Sequence, residues 1–228
     1  MVRYSIITEK SPREIVLLKA FPCAWGKCSF CDYMQDNSID EAAINQVNKE
    51  VLEKVTGHNR VLEVIDSASC FELPKESLSL IRDVVVSKKI TRLFLESHWM
   101  YRHRLNEMRR FMKIPITYKI GVETFDNDFR QNVLNKHADF KSPEEVARYF
   151  DSPCLLVGIK GQTKEMIDYD IRMLKKYFKL GTINIYANNS TNIKRDEDLI
   201  HWFMDRYSYL KEDPSLEILY ENTDFGVG

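Results

Sequence analysis

An α/β fold with a mainly parallel sheet is the architecture this sequence predicts, and three observations predict it. Short apolar runs alternate along the chain with longer helical patterns. Several runs carry Ile, Val and Leu on both faces, as strands covered by helices must. Each run passes at the same end into small polar or charged residues, where folds of this kind keep their working groups. Right-handed crossovers between six such β-then-α units make either an open doubly wound sheet or a partial barrel.

The elements follow in order. The first run, Ile15–Phe21, leads into Cys23–Cys31. Ser38-Ile39-Asp40-Glu41 reads as a capping box, opening a helix that runs to about Gly57. The second run, Val61–Asp66, ends in Ser67-Ala68-Ser69-Cys70, and Leu73-Pro74-Lys75-Glu76 places Pro in the next helix's first turn. The third run, Thr91–Glu96, ends in Ser97-His98. The fourth, Ile116–Glu123, ends in Gly121-Val122-Glu123-Thr124; Ser142-Pro143-Glu144-Glu145 then combines a cap, a Pro and acids that oppose the helix dipole. The fifth, Cys154–Ile159, ends in Lys160-Gly161-Gln162-Thr163, where Thr163 caps a helix ending near Gly181. The sixth, Thr182–Ala187, ends in Asn188-Asn189-Ser190. Ile193–Leu210 reads as a last helix and Ser215–Tyr220 as a final extended segment.

With 228 residues and no repeat, low-complexity tract or linker, the chain reads as one domain, 1–228. Its core is about 14–190, followed by a C-terminal helix and extended tail, 191–228. Hydrophobic residues at 44% and charged residues at 29% exclude wholesale disorder. A net charge of −1 leaves no excess positive charge for a long nucleic-acid backbone. Apolar runs such as Ile15–Leu18 and Cys154–Val157 fall far short of the roughly 20 residues a membrane helix needs, so no membrane association is expected. Met1–Ser11 has no apolar signal core, and a cytoplasmic location is the expectation.

Of the five cysteines, Cys23, Cys28 and Cys31 fall together with the spacing Cys-x4-Cys-x2-Cys. An odd count without an export signal argues against a disulfide framework. Three thiolates on one loop can hold three irons of a [4Fe-4S] cluster and leave the fourth iron open. Structural zinc needs a fourth ligand, which would fall to Asp32, His58 or Cys70. A thioredoxin-type Cys28/Cys31 pair leaves Cys23 unexplained, and a chance grouping is the remaining alternative. Cys70 and Cys154 are expected in the core.

On these residues the sequence resembles the radical S-adenosylmethionine (radical SAM) enzymes. Their usual signature is Cys-x3-Cys-x-aromatic-Cys after the first strand of a partial (β/α)6 TIM-like barrel. Here Phe30 precedes Cys31, and the first interval is one residue longer. The likeness covers roughly residues 14–190. Ser67-Ala68-Ser69 stands where the family meets the SAM amino group. Gly121-Val122-Glu123 resembles the family's fourth-strand Gly-Val-Glu, and Gly158-Ile159-Lys160-Gly161-Gln162-Thr163 resembles Gly-x-Pro-Gly-Gln-Thr with Lys160 in place of Pro. The resemblance implies that Cys23, Cys28 and Cys31 are metal ligands and that Phe30, Ser67, Ser69, Glu123 and Ile159 contact the cofactors. It implies cleavage of SAM to a 5′-deoxyadenosyl radical that removes hydrogen from a substrate. It also implies an electron donor such as flavodoxin or ferredoxin.

Two remaining cysteines are too few for auxiliary clusters, and eight glycines include no phosphate loop, so a small-molecule substrate fits best. The short chain, the cysteine spacing and Ser-Ala-Ser are similar to those of radical lyases that release a 7-deazaguanine base from its ribose phosphate. A 7-carboxy-7-deazaguanine synthase is the alternative within the family. A non-catalytic zinc or iron–sulfur protein is the alternative of another class.

Alternation along strands sets further expectations. If Glu123 faces inward, so do Gly121, Lys119 and Thr117. Ser67 brings Ile65 and Glu63; Glu96 brings His98, Phe94 and Arg92. Glu63 is then expected to neutralise Arg92, and Lys119 to lie near Glu96 or a SAM carboxylate. Substrate contacts are expected among His98, Trp99, Tyr101 and His103, among Asn188 and Asn189, and among Glu221, Asn222 and Asp224. Arg102, Arg104 and Lys160 are the suspects for a phosphate. The tail after Ser215 is expected to cover the mouth of the barrel.

Overall fold

A computed structural model describes residues 1–221; the expectations for Asn222 and Asp224, and for the end of the tail, lie outside the described residues. Contacts divide the described chain into two compact units, residues 1–26 with 33–118, and residues 27–32 with 119–221.

The first unit carries β1 (Tyr4–Ile7), β2 (Arg13–Leu18), β3 (Val61–Asp66) and β4 (Arg92–Glu96), with helices α1 (Glu41–Leu52), α2 (Lys75–Ser87) and α3 (Leu105–Met112). Strand order follows chain order. β2, β3 and β4 are parallel, with Leu18 opposite Asp66 and Leu62 opposite Leu93. β1 is antiparallel to β2 and was not expected from the sequence. It is a short edge strand whose alternation spans too few residues to stand out.

All six residues of β2 are buried, including two charged ones. Arg13 pairs with Glu63 on β3 and stands 5.6 Å from the Phe94 ring centre. Glu14 accepts from the backbone N–H groups of Thr56, Gly57 and His58 at 2.7, 2.6 and 3.0 Å, and from the Thr56 and Tyr4 hydroxyls at 3.1 and 3.0 Å. Burial, then Glu14, push the Tyr4 hydroxyl up to about 12. These bonds correct two expectations. Glu63 neutralises Arg13, while Arg92 is exposed. The first helix stops at Leu52 rather than near Gly57, because residues 56–58 turn their N–H groups onto Glu14. Gly57 makes that turn at φ +80°, where an added Cβ would lie 2.5 Å from the Lys88 carbonyl oxygen.

α1 starts from Asp40, which caps Ala43 N at 3.1 Å. On its inner face Asn48 accepts from Lys19 N at 2.7 Å and donates to Lys19 O at 2.8 Å. The chain is thereby held where β2 ends and the cysteine loop begins.

The second unit carries most of β5 (Ile116–Glu123), then α4 (Pro143–Ala147), β6 (Ser152–Val157), α5 (Lys164–Tyr177), β7 (Gly181–Ile185), α6 (Glu197–Arg206) and β8 (Leu216–Leu219). β5 to β8 are parallel neighbours in chain order. Thr163 caps α5 as expected, accepting from Met166 N at 3.2 Å. α6 is shorter than Ile193–Leu210. Lys194 O accepts from Lys160 N, Asp196 N donates to Gly158 O, both at 2.8 Å, and Asp196 then caps the helix. β2 to β7 are the six expected strands, and β8 is the expected final extended segment. Among the described residues no helix is long and apolar enough to cross a membrane.

Candidate active site

In the first unit the C-terminal ends of β2, β3 and β4 carry Cys23, Asp66–Cys70 and Glu96–Trp99. Ser67 Oγ accepts from Ala20 N at 3.1 Å, so the serine braces the turn that leads to Cys23. The Asn37 amide, in the orientation that satisfies its neighbours, donates to Ser67 O and Oγ at 2.9 and 2.7 Å and accepts from Cys23 N at 3.2 Å. Ser69 is buried with its Oγ 3.5 Å from Ser97 Oγ.

Asp66 and Glu72, which sequence reading did not single out, are buried beside these serines. Asp66 Oδ1 accepts from Ala68 N at 2.8 Å. Glu72 Oε1 accepts from the Tyr101 hydroxyl at 2.6 Å and from Ala24 N at 3.1 Å. Burial pushes the Asp66 carboxyl well up, and Glu96 and Glu72 add to it. Burial also raises Glu72, against Tyr101 and Ala24 N. Cys70 is buried, its thiol pushed up by burial and by the same acids, which places it in the core as expected.

The aromatic and basic residues after β4 are mostly spoken for. His98 Nδ1 accepts from Met100 N at 3.3 Å and caps a 3₁₀ turn over Trp99–Tyr101. Trp99 is 1% exposed, beneath the Arg102 guanidinium at 4.6 Å, so it offers no open surface. Arg104 pairs with Glu107, and His103 is exposed.

In the second unit, residues 27–32 hold Cys28, Phe30 and Cys31. Cys31 N donates to Cys28 O at 3.3 Å, closing a turn between the two thiols. Ser29 N donates to Leu134 O at 2.9 Å, Asn135 Nδ2 to Lys27 O at 2.7 Å, and Asn189 Nδ2 to Phe30 O at 2.7 Å. Ser190 N and Oγ both lie 3.3 Å from Asp32 Oδ2. Phe30 packs on the apolar cluster of Phe129, Leu134, Leu156, Ile159 and Tyr186.

Glu123 ends β5 at φ +65°, after a register shift between Gly121 and Glu123. The bulge turns its carboxylate to Lys136 Nζ at 2.6 Å. A Cβ at Gly121 would stand 2.4 Å from Glu123 Oε1 and 2.8 Å from Lys136 Nζ, so the Gly-Val-Glu run makes room for this ion pair. Lys136 Nζ is also 5.4 Å from the Phe30 ring centre. Burial pulls the ammonium down, but Glu123 and the thiols of Cys28 and Cys31 outweigh it and hold it charged. Nothing periodic in the sequence around Lys136 marks it.

Lys119, expected among the cofactor contacts, is buried in β5. Gln162 braces the loop before α5, accepting from Gly158 N and Ile159 N, both at 2.9 Å, and donating to Leu156 O at 2.7 Å. Asn188 Oδ1 holds Arg195 N at 3.0 Å. Lys160 and Glu221 are exposed, and Cys154 is buried in β6. None of the five cysteines is in a disulfide, and Cys23, Cys28 and Cys31 are half-buried. Among the described residues no three His, Cys, Asp or Glu side chains are grouped to hold a single metal ion.

No family model matches the chain. An uncharacterised protein of Methanocaldococcus jannaschii is 25% identical over 138 residues, 53% of this chain; the match spans 38% of that protein's length. Streptococcus suis SuiB bound to S-adenosylmethionine is 13% identical, with a TM-score of 0.56 over 92% of this chain and 47% of that one, a likeness of fold alone. A queuine lyase from Clostridium spiroforme, solved with SAM and queuine bound, is 55% identical over 100% of this chain and 99% of that one, with a TM-score of 0.98. The fold class is therefore the α/β partial barrel expected from the sequence, and the protein is a radical SAM enzyme. Within that class the chain belongs to the queuine lyase family.

Proposed function

We propose that this chain releases queuine from queuosine 5′-phosphate, using SAM and a [4Fe-4S] cluster ligated by Cys23, Cys28 and Cys31. The observation that carries the reading is the 55% identity to a queuine lyase over the whole chain. The residues fit the cluster: the three cysteines are half-buried and in no disulfide, and the Lys136 charge acts on two of them. When bound, the cluster and SAM supply reductive cleavage of the sulfonium and hydrogen abstraction from the substrate.

The chain's own groups supply the setting. Lys136 offsets thiolate charge at Cys28 and Cys31 and fixes the Glu123 carboxylate that this reading gives to SAM. Asn135 and Asn189 hold the backbone on either side of the Cys28–Cys31 turn. Phe30, on its apolar cluster, keeps water from that side of the loop. Ser67 and Ser69, Lys119 and Ile159 complete the SAM contacts, and His98, Asn188 and Glu221 the outer substrate contacts. A flavodoxin or ferredoxin is the electron donor.

The test is an anaerobic assay of reconstituted enzyme with SAM, dithionite and queuosine 5′-phosphate, following queuine and 5′-deoxyadenosine together. Both products are expected. Formation of 5′-deoxyadenosine without queuine would discard the substrate. Continued SAM cleavage by a Cys23→Ala/Cys28→Ala/Cys31→Ala variant would discard the cluster ligands.

A further inference from the structure

We infer that Asp66 and Glu72 form the subsite for the protonated secondary amine in the side chain of the queuine base; the inference rests on the function proposed above. Both side chains are buried, at 6% and 8% exposure. Each uses one carboxylate oxygen fully. Asp66 Oδ1 is held by Ala68 N, and Glu72 Oε1 by the Tyr101 hydroxyl and Ala24 N. Those bonds fix the direction of each second oxygen. Among the described residues Asp66 Oδ2 and Glu72 Oε2 are buried and meet no hydrogen-bond partner, although the Ser69 hydroxyl also acts on the Glu72 carboxyl. A buried acceptor left bare is expensive, and two on neighbouring acids more so.

The described residues place no uncommitted cation against the pair. Arg104 is the cation that acts on Glu72, and its guanidinium is committed to Glu107 at 3.0–3.3 Å and to the Phe71 and Tyr101 ring faces at 4.7 and 5.7 Å. Asp66 feels Glu96 and Glu72, both acids. Asp66 is the last residue of β3, and Glu72 accepts from Ala24 N, one residue after Cys23.

The vacancies define the ligand: two N–H donors and one positive charge. A dialkylammonium carries both on one atom and can bridge two carboxylates. The neutral aminopyrimidinone edge of the base also offers two N–H donors but brings no charge. The amino group of SAM has similar chemistry, so the experiment separates the two sources.

Reconstituted holoenzyme with SAM bound is titrated calorimetrically with queuine, with 7-aminomethyl-7-deazaguanine and with 7-cyano-7-deazaguanine. The two amines should bind at least about 10-fold more tightly than the nitrile, as a charge-assisted hydrogen bond implies. Asp66→Asn and Glu72→Gln should weaken amine binding on the order of 10- to 100-fold, leave the nitrile unchanged and leave SAM affinity unchanged. Equal affinity of wild-type enzyme for amine and nitrile overturns the subsite alone, whatever the variants do. Variants that lose SAM affinity instead assign the pair to SAM and overturn it too. Failure of wild-type enzyme to bind queuine at all overturns both the subsite and the function beneath it.

Discussion

Glu63 and Asp66 both lie on β3 and both are buried, yet their surroundings differ. At the strand's N-terminal end Glu63 meets the Arg13 guanidinium, and neighbouring Glu14 is wrapped by backbone N–H groups and hydroxyls. At the C-terminal end Asp66 and Glu72 each keep an oxygen with no hydrogen-bond partner among the described residues. A carboxylate closed in on every side contributes to the fold. One left open contributes nothing to the empty protein and is retained for something that arrives. In β/α folds the two ends of the strands divide in this way between stability and chemistry.

That contrast can be broken by mutation. Glu14→Ala should have the largest effect. It removes the acceptor of three part-buried backbone N–H groups and two hydroxyls, so at about 1 kcal/mol per bond a loss of roughly 4 kcal/mol is expected in urea unfolding. A loss below about 1 kcal/mol would mean that the loop simply turns its amides to water. Next comes Arg13→Met, which takes the guanidinium from buried Glu63 and should destabilise by about 3 kcal/mol, whereas Arg13→Met/Glu63→Leu should recover most of it. If the double variant is no better than the single one, the ion pair is not what the strand end depends on. Asp66→Asn should change least: within about 1 kcal/mol of the parent, or more stable, since it removes a desolvated charge that faces no cation and keeps an oxygen for Ala68 N. A large loss there would place Asp66 with the structural acids and erase the distinction.

Much of this was legible in the sequence because it is local. Val61–Asp66 and Ile116–Glu123 are strands at the expected boundaries, since apolar runs bounded by polar residues carry their own ends. Thr163 caps α5 because its bond spans one helical turn. The errors arise where a partner is distant. Alternation says that Glu63 points inward, but β3 has a neighbour on each side, and nothing in its own strand chooses Arg13 over Arg92. The end of α1 was misjudged because residues 56–58 serve Glu14, which lies far back in the chain. Gly121 of the Gly-Val-Glu run leaves room for Glu123 and Lys136, and Lys136 is distant from that run in sequence. Lys136 and Glu72 were missed because each acts from an irregular turn, where no period marks an inward direction.

The turn bearing Cys28 and Cys31 is fastened by Leu134, Asn135, Asn189 and Ser190, all through backbone or amide bonds. None of those fasteners is a metal bond. A zinc finger, by contrast, has no shape until its ion arrives, because binding and folding are one event. Here the two thiols are set in place by the polypeptide itself. Iron-free chain is therefore expected to keep this turn folded, so that the supply of iron would set how much of the enzyme works rather than how much of it survives.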